Sequence, residues 1–251
     1  MISEREFDGR AEALAPAFIL VRPQLAENVG TAARAMMNCA LTDMRLVDPD
    51  EDHLCSRAIA ASSGAEEILR HAKVFKTIAE AVADLQKIYA TTGRSRDMIK
   101  PVFTGQGMAK DIIEQHQKNI RCGVLFGPER TGLENDDLAY ADAIVNIPLN
   151  PKHCSLNLAQ AVLLTGYEIF RLSDTTQDRI LSMPNTEPAN KQETEHFFAH
   201  LEQELERVGY FKSPEKHPRM MRNLRNIFMR AELTSQDIRT LHGMISDLAR
   251  R

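Results

Sequence analysis

Five short apolar runs punctuate the first two thirds of the chain: AFILV at 17–21, MRLV at 44–47, KIYAT at 87–91, CGVLF at 122–126 and AIVNI at 143–147. Each predicts a buried strand, since a short continuous apolar run suits a sheet covered on both faces. Between them the spacing turns helical. Val29, Ala33, Met36, Met37 and Ala40 share one face of a helix with Asn28 as its N-cap. Shorter helices are expected at 56–61, 77–85 and 109–117. From Ser155 a long helix follows that is apolar nearly all round (Leu156, Leu158, Ala159, Val162, Leu163, Leu164, Ile169, Phe170), which predicts a core helix capped by Ser155. Pro148 and Pro151 keep the passage before it extended. Strands alternating with helices indicate an α/β domain with a mostly parallel sheet.

Beyond residue 173 the pattern changes. The segment SDTTQDRILSMPNTEPANK is polar, carries two prolines and reads as a linker. Helical spacing then returns at Phe198, Leu201, Leu205 and Val208, at Met221, Leu224, Ile227 and Phe228, and at Ile238, Leu241, Ile245 and Leu248. Thr234 with Asp237 resembles a capping box for the last helix. The expected division is a frayed tail at 1–15, an α/β domain at 16–173, a linker at 174–190 and a small all-helical extension at 191–251.

With 43% apolar and 26% charged residues, the 251-residue chain has ample material for a core. Its formal net charge of −4 means that any polyanion site must be a local patch. The best patch is the middle helix of the extension: from Lys212 to Arg230 there are six Lys/Arg against one acid, Glu215, with Arg219, Arg222 and Arg225 opposite the apolar face. Cys39, Cys55, Cys122 and Cys154 show no CxxC or Cys–His spacing, so reduced thiols in a cytoplasmic protein and no metal site are expected. The charged N-terminus does not suit a signal peptide, and no apolar run approaches the ~20 residues needed to cross a bilayer.

In parallel sheets ligands gather at the carboxyl ends of strands. The polar loops after Val21, Thr91, Phe126 and Ile147 occupy that position, and the second of them carries Arg94 and Arg96. There is no GxGxxG or Walker A, and Gly105-Gln106-Gly107 lacks the strand–helix context of a phosphate loop. Arg34 lies off its helix's apolar stripe, which alone reads as a solvated surface charge.

Three blocks change that reading. Asn28-Val29-Gly30-Thr31-Ala32-Ala33-Arg34 resembles the first motif, N-x-G-x-x-x-R, of the SpoU/TrmH-type 2′-O-ribose RNA methyltransferases of the SPOUT superfamily. Residues 126–133, FGPERTGL, resemble the second motif, and IPLNP at 147–151 with SLNLAQAV at 155–162 resembles the third. The extension, through GY at 209–210 and LRNIFMRA at 224–231, is similar to that of the TrmJ branch, which methylates tRNA at anticodon-loop nucleotide 32. Pro128 and Cys154 are small departures from the pattern. The resemblance implies a SPOUT-type parallel sheet flanked by helices, a deep trefoil knot formed by the third motif, a homodimer, and S-adenosylmethionine held by Thr91, Thr92, Gly93, Gly127, Ile147, Cys154, Ser155 and Leu156. With a tRNA substrate, the local basic patches make Arg94, Arg96, Arg219, Arg222 and Arg225 the expected RNA contacts, and the sequence offers no metal-ligand spacing and no membrane span.

Methyl transfer to a ribose hydroxyl requires binding, orientation and removal of one proton. The resemblance puts Arg34 at the 2′-hydroxyl, oriented by Asn28, Glu129, Ser155 and Asn157. A guanidinium with a pKa above ~12 is an awkward base, so a cationic clamp on the developing alkoxide fits equally. For Asn28 and Ser155 an N-cap, and for Glu129 a turn acid, remain the ordinary readings. An rRNA substrate, a non-catalytic RNA-binding module that kept the fold, and an enzyme using another adenine cofactor are the alternatives.

Overall fold

The computed structural model describes residues 15–93, 99–176, 183 and 185–250. By Cα clustering the chain forms two compact units, Met1–Thr176 and Gln177–Arg251. The first contains β1 (Ala17–Val21), α1 (Ala26–Asn38), β2 (Met44–Val47), α2 (Ser56–Ser62), α3 (Glu66–His71), β3 (Lys73–Phe75), α4 (Ile78–Val82), β4 (Lys87–Thr91) and β5 (Val102–Phe103). It continues with α5 (Gly105–Gln117), β6 (Cys122–Phe126), α6 (Asn135–Leu138), β7 (Ala143–Val145) and α7 (Leu158–Ser173). The second holds α8 (Lys191–Arg207), α9 (His217–Met229) and α10 (Ser235–Ala249).

All seven strands pair in parallel, in the order β3-β2-β1-β6-β4-β7-β5. Alternation along each strand sorts side chains to the two faces. Phe18 and Leu20 join one core with Val29 and Met36 of α1, Met108 and Ile112 of α5, and Val162 and Ile169 of α7. Ala17, Ile19 and Val21 join the other with Ile78, Ala81, Leu133 and Leu138. This is why the strands read as unbroken apolar runs: both faces are covered. Arg45 interrupts β2 yet is only 1% exposed. Its guanidinium donates to Asp84 and Asp43 and to the Ala81 carbonyl at 2.6 Å. Burial alone would lower its pKa, but the hydrogen bonds of Asp84 and Asp43 outweigh that and hold it raised. Burial pushes the Cys39 and Cys122 thiols up to about 11, in keeping with core positions.

The helix starts differ from the sequence reading. The first residue of α1 is Ala26, behind a Leu25 that offers no side-chain cap. Glu51, from a distant loop, accepts from the Ala26 N–H at 3.0 Å in its place. Asn28 therefore sits inside the first turn with its side chain released from capping. Asn157 rather than Ser155 caps α7, accepting from the Ala159 N–H at 2.9 Å while Gln160 accepts from the Asn157 N–H at 3.0 Å. Nor is α7 buried all round, since Leu163 is 40% and Tyr167 51% exposed. Strand β7 ends at Val145, two residues early, and α3, β3, β5 and α6 lie outside the expected elements. Gly105 and Gly107 form the first turn of α5, where Thr104 accepts from the Gly107 N–H at 3.1 Å. Gly30 is required by packing: a Cβ there would stand 2.1 Å from the Ala58 carbonyl oxygen of α2.

In the second unit Phe197, Phe198 and Ile238 are buried against Leu201, Phe228, Leu241 and Ile245. The predicted capping box at Thr234–Asp237 is present. Pro188 bridges Thr234, so the end of the polar linker is part of this unit's structure. No described helix is long and apolar enough to cross a membrane.

Candidate active site

Since β1, β6, β4 and β7 are neighbours in a parallel sheet, the loops leaving their carboxyl ends meet at one edge. Three of these loops line a cavity of about 310 Å³. Thr91, Thr92 and Gly93 come from the β4 end, residues 126–133 from the β6 end, and Ile147, Leu149, Cys154, Ser155 and Leu156 from the β7 end. All eight residues that the resemblance implies for the cofactor are in this lining. The size falls within the range of small-molecule sites, roughly 300–1,000 Å³. Gly127 keeps the second loop folded tightly on itself, because a Cβ there would lie 2.2 Å from the Leu133 nitrogen. Gly132, at φ 68°, makes the turn.

The β1 loop and α1 join this edge through hydrogen bonds. Glu129 accepts from the Asn28 amide at 2.6 Å and from the Gln24 backbone N–H at 3.0 Å. The Asn28 side-chain oxygen accepts from the Asn157 amide at 2.9 Å. Asn157 thus caps α7 and belongs to the network at once; the ordinary and functional readings coincide there. Asn28 and Glu129 depart from their ordinary readings, since their side chains hold each other rather than their own turns. Ser155 lines the cavity and is exposed, with no side-chain hydrogen bond among the described residues.

Arg34 stands apart. It is exposed, has no ion pair or hydrogen bond among the described residues, and is not in the cavity lining. Six residues beyond Asn28, it lies roughly 9 Å further along the helix axis. Asn28, Glu129 and Asn157 are hydrogen-bonded to one another. Arg130 lines the cavity, is exposed and has no ion pair or hydrogen bond among the described residues. Gln24 was missed because it contributes only a backbone N–H, which leaves no mark in side-chain pattern.

Of the basic residues, Arg94 and Arg96 lie outside the described residues. Arg219 and Arg222 are exposed and unpaired among them. Arg225 is already engaged: it forms a two-pronged ion pair with Glu195 at 2.7 and 2.8 Å and lies 4.5 Å over the Phe198 ring. That pairing raises its pKa and makes it a bracket between α8 and α9. Among the described residues, Glu202, Glu206 and His217 bring three potential ligand atoms within 4.8 Å. His217 Nε2 is 2.8 Å from Glu202, the spacing of an ion pair.

Comparison with known proteins agrees with these motifs. The SpoU rRNA Methylase family model matches residues 16–167, and that of the tRNA methyltransferase TrmJ C-terminal domain matches residues 192–251. The tRNA (cytidine/uridine/adenosine-2′-O-)-methyltransferase TrmJ of Pseudomonas aeruginosa is 33% identical, over 91% of this chain and 91% of that protein. The tRNA (cytidine/uridine-2′-O-)-methyltransferase TrmJ of Salmonella typhimurium is 34% identical, over 92% and 94%. The crystal structure of TrmJ from Z. mobilis ZM4 superposes with a TM-score of 0.79 at 45% identity, covering 94% of this chain and 99% of that one.

Proposed function

The chain belongs to the SpoU methylase family, and from that premise we propose that it is an S-adenosylmethionine-dependent methyltransferase acting on the ribose 2′-hydroxyl of tRNA nucleotide 32. The observation that carries the reading is that the second and third motifs line one cavity and the first is joined to them, with Asn157, Asn28 and Glu129 hydrogen-bonded in series. The two TrmJ relatives, similar over nearly the whole chain, support tRNA as the substrate.

The cavity fits an adenosine-based cofactor by its size and by the close backbone passage at Gly127, which no side chain could share. When bound, S-adenosylmethionine supplies an electrophilic methyl group on a sulfonium. Residues 91–93, Gly127, Ile147 and 154–156 hold it and exclude water from it. Glu129, Asn28 and Asn157 keep the loops in register, so that the 2′-oxygen is presented in line. The guanidinium of Arg34 stabilises negative charge as it builds on that oxygen. Its lack of a partner among the described residues supports a role toward a bound polyanion.

The proposal includes a trefoil knot through the 146–157 segment, a homodimer and a cytoplasmic place of action. For the knot, the support is the passage of Cys154 over Gly93, where a Cβ would lie 3.4 Å from the Cys154 carbonyl oxygen. For the dimer, it is the apolar Leu163, Leu164 and Tyr167 left exposed on α7. Arg219 and Arg222 carry tRNA affinity, and Arg225 does not.

Calorimetric titration with S-adenosylmethionine and S-adenosylhomocysteine, followed by mapping of ribose methylation on tRNA treated with the pure protein, tests the reading. Binding of both ligands and a new 2′-O-methyl group at nucleotide 32 is the expected result. Failure to bind either ligand would overturn it, and methylation of rRNA alone would reassign the substrate.

A further inference from the structure

Arg22 is the first residue beyond β1, outside all three motifs. Its φ of 45° is left-handed, a conformation unfavourable for a residue with a side chain. The backbone is held there by its N–H, which donates to the Val47 carbonyl at 2.7 Å. The side chain reaches across the site edge, where Nη2 donates to Asp137 Oδ2 at 2.6 Å. Asp137 is a buried carboxylate with a side-chain exposure of 7%. The same oxygen accepts from the Glu134 N–H at 2.8 Å and so closes the first turn of α6. Without Arg22 that turn would carry an uncompensated buried charge.

The β6 loop is thereby fastened to the β1–α1 segment at two points. One is Glu129, which accepts from Gln24 and Asn28; the other is Asp137, which accepts from Arg22. A single fastening leaves a loop free to rotate about it, and a second removes that freedom. We infer that Arg22 and Asp137 are positioning residues for the proposed methyl transfer, a clasp that holds residues 127–134 so that Glu129 meets Asn28 and the cavity wall keeps its shape. The inference rests on the methyltransferase reading.

The test uses the full-length protein with Arg22→Ala, Arg22→Lys and Asp137→Asn, each also made in a Glu129→Gln background. Arg22→Ala should lower kcat about tenfold, as expected for a small misplacement of a positioned group, with the tRNA KM within about twofold. Arg22→Lys, which keeps one hydrogen bond, should recover most of the loss. In the Glu129→Gln background the loss should shrink below about twofold, because both changes act through the same contact. Amide exchange at residues 128–134 should quicken in Arg22→Ala and not in Arg22→Lys. If Arg22→Ala does not fold, the Arg22→Ala/Asp137→Asn pair removes the stranded charge and carries the same measurements. Unchanged kcat, or a tenfold loss that persists in full without Glu129, overturns the clasp. A wild-type protein that transfers no methyl group sinks the methyltransferase reading instead; the exchange measurement then decides the clasp, and unchanged exchange overturns it.

Discussion

The two units treat their polar side chains in opposite ways. At the carboxyl edge of the sheet, Asn28, Glu129 and Asn157 are joined in series, and Arg22 is committed to a buried carboxylate. In the second unit Arg219 and Arg222 project from α9 without partners among the described residues, over a small core of Phe197, Phe198 and Ile238. A site that must align reacting atoms needs groups already fixed by one another. A surface that meets a phosphate backbone needs only available charge. Arg34 sets the two apart most sharply: it has no hydrogen bond among the described residues, yet it lies in the unit that holds the network.

The sharpest way to break the contrast is Arg34→Ala. It should lower turnover by about 10²–10⁴, the range for losing a positioned proton-transfer or charge-stabilising group. Its melting temperature and S-adenosylhomocysteine affinity should match the wild type, as Arg34 is exposed and off the buried stripe. Near-normal turnover would reduce Arg34 to a surface charge and leave Arg130 as the cation at the cavity.

The next effect lies in the small core. Phe198→Ala should destabilise the second unit by about 3–5 kcal/mol, removing both a buried ring and the platform under Arg225. Calorimetry should then show the second unit's transition lost and the first unit's preserved, with cofactor binding intact. Loss of both together would show that the units do not fold independently.

A smaller change is expected from Arg219→Gln/Arg222→Gln. The slope of log K for tRNA against log salt should flatten by about 1.4–1.8, for two phosphate contacts at 0.7–0.9 each, while cofactor binding is untouched. Adding Arg225→Gln should lower the melting temperature without flattening the slope further, because that guanidinium is already bound to Glu195.

The smallest effect is a pH dependence confined to the second unit. Burial, then the neighbouring His200 and His196, lower the pKa of His242, whose Nδ1 is 2.8 Å from Nδ1 of His200. The folded state therefore favours the neutral ring. The stability this contributes is fully present above the unfolded value of about 6.5 and is lost as pH falls through the lower folded value. The second unit's melting temperature should drop by a few degrees on acidification, and His242→Gln should remove that drop; an identical drop in the variant refutes the assignment.

How far the sequence could be read follows from where each signal lies. Strands β1, β2, β4 and β6 were legible to the residue because burial on both faces leaves an unbroken apolar run. Strand β5, two residues at the sheet edge, has too little length to show any period. The caps were misplaced because capping depends on which acceptor arrives, not on which is nearest in the chain. Glu51 reaches the start of α1 from outside it, which frees Asn28 for Glu129. The motif residues could be named in advance; their partnership could not, since it depends on atoms brought from three separate segments. The ion pair of Arg225 was illegible for the same reason, as its partner Glu195 lies on another helix.

The Asn157–Asn28 hydrogen bond joins residues 129 positions apart. Contacts of such separation are costly to close early, because the intervening chain must first be ordered. During synthesis Asn28 and Glu129 are both made before Asn157, the capping residue that completes the series. A nascent chain that ends short of Asn157 can build most of the sheet and still lack a finished site. Premature termination before α7 should therefore leave the hydrogen-bonded series open at Asn28, however much of the sheet has formed.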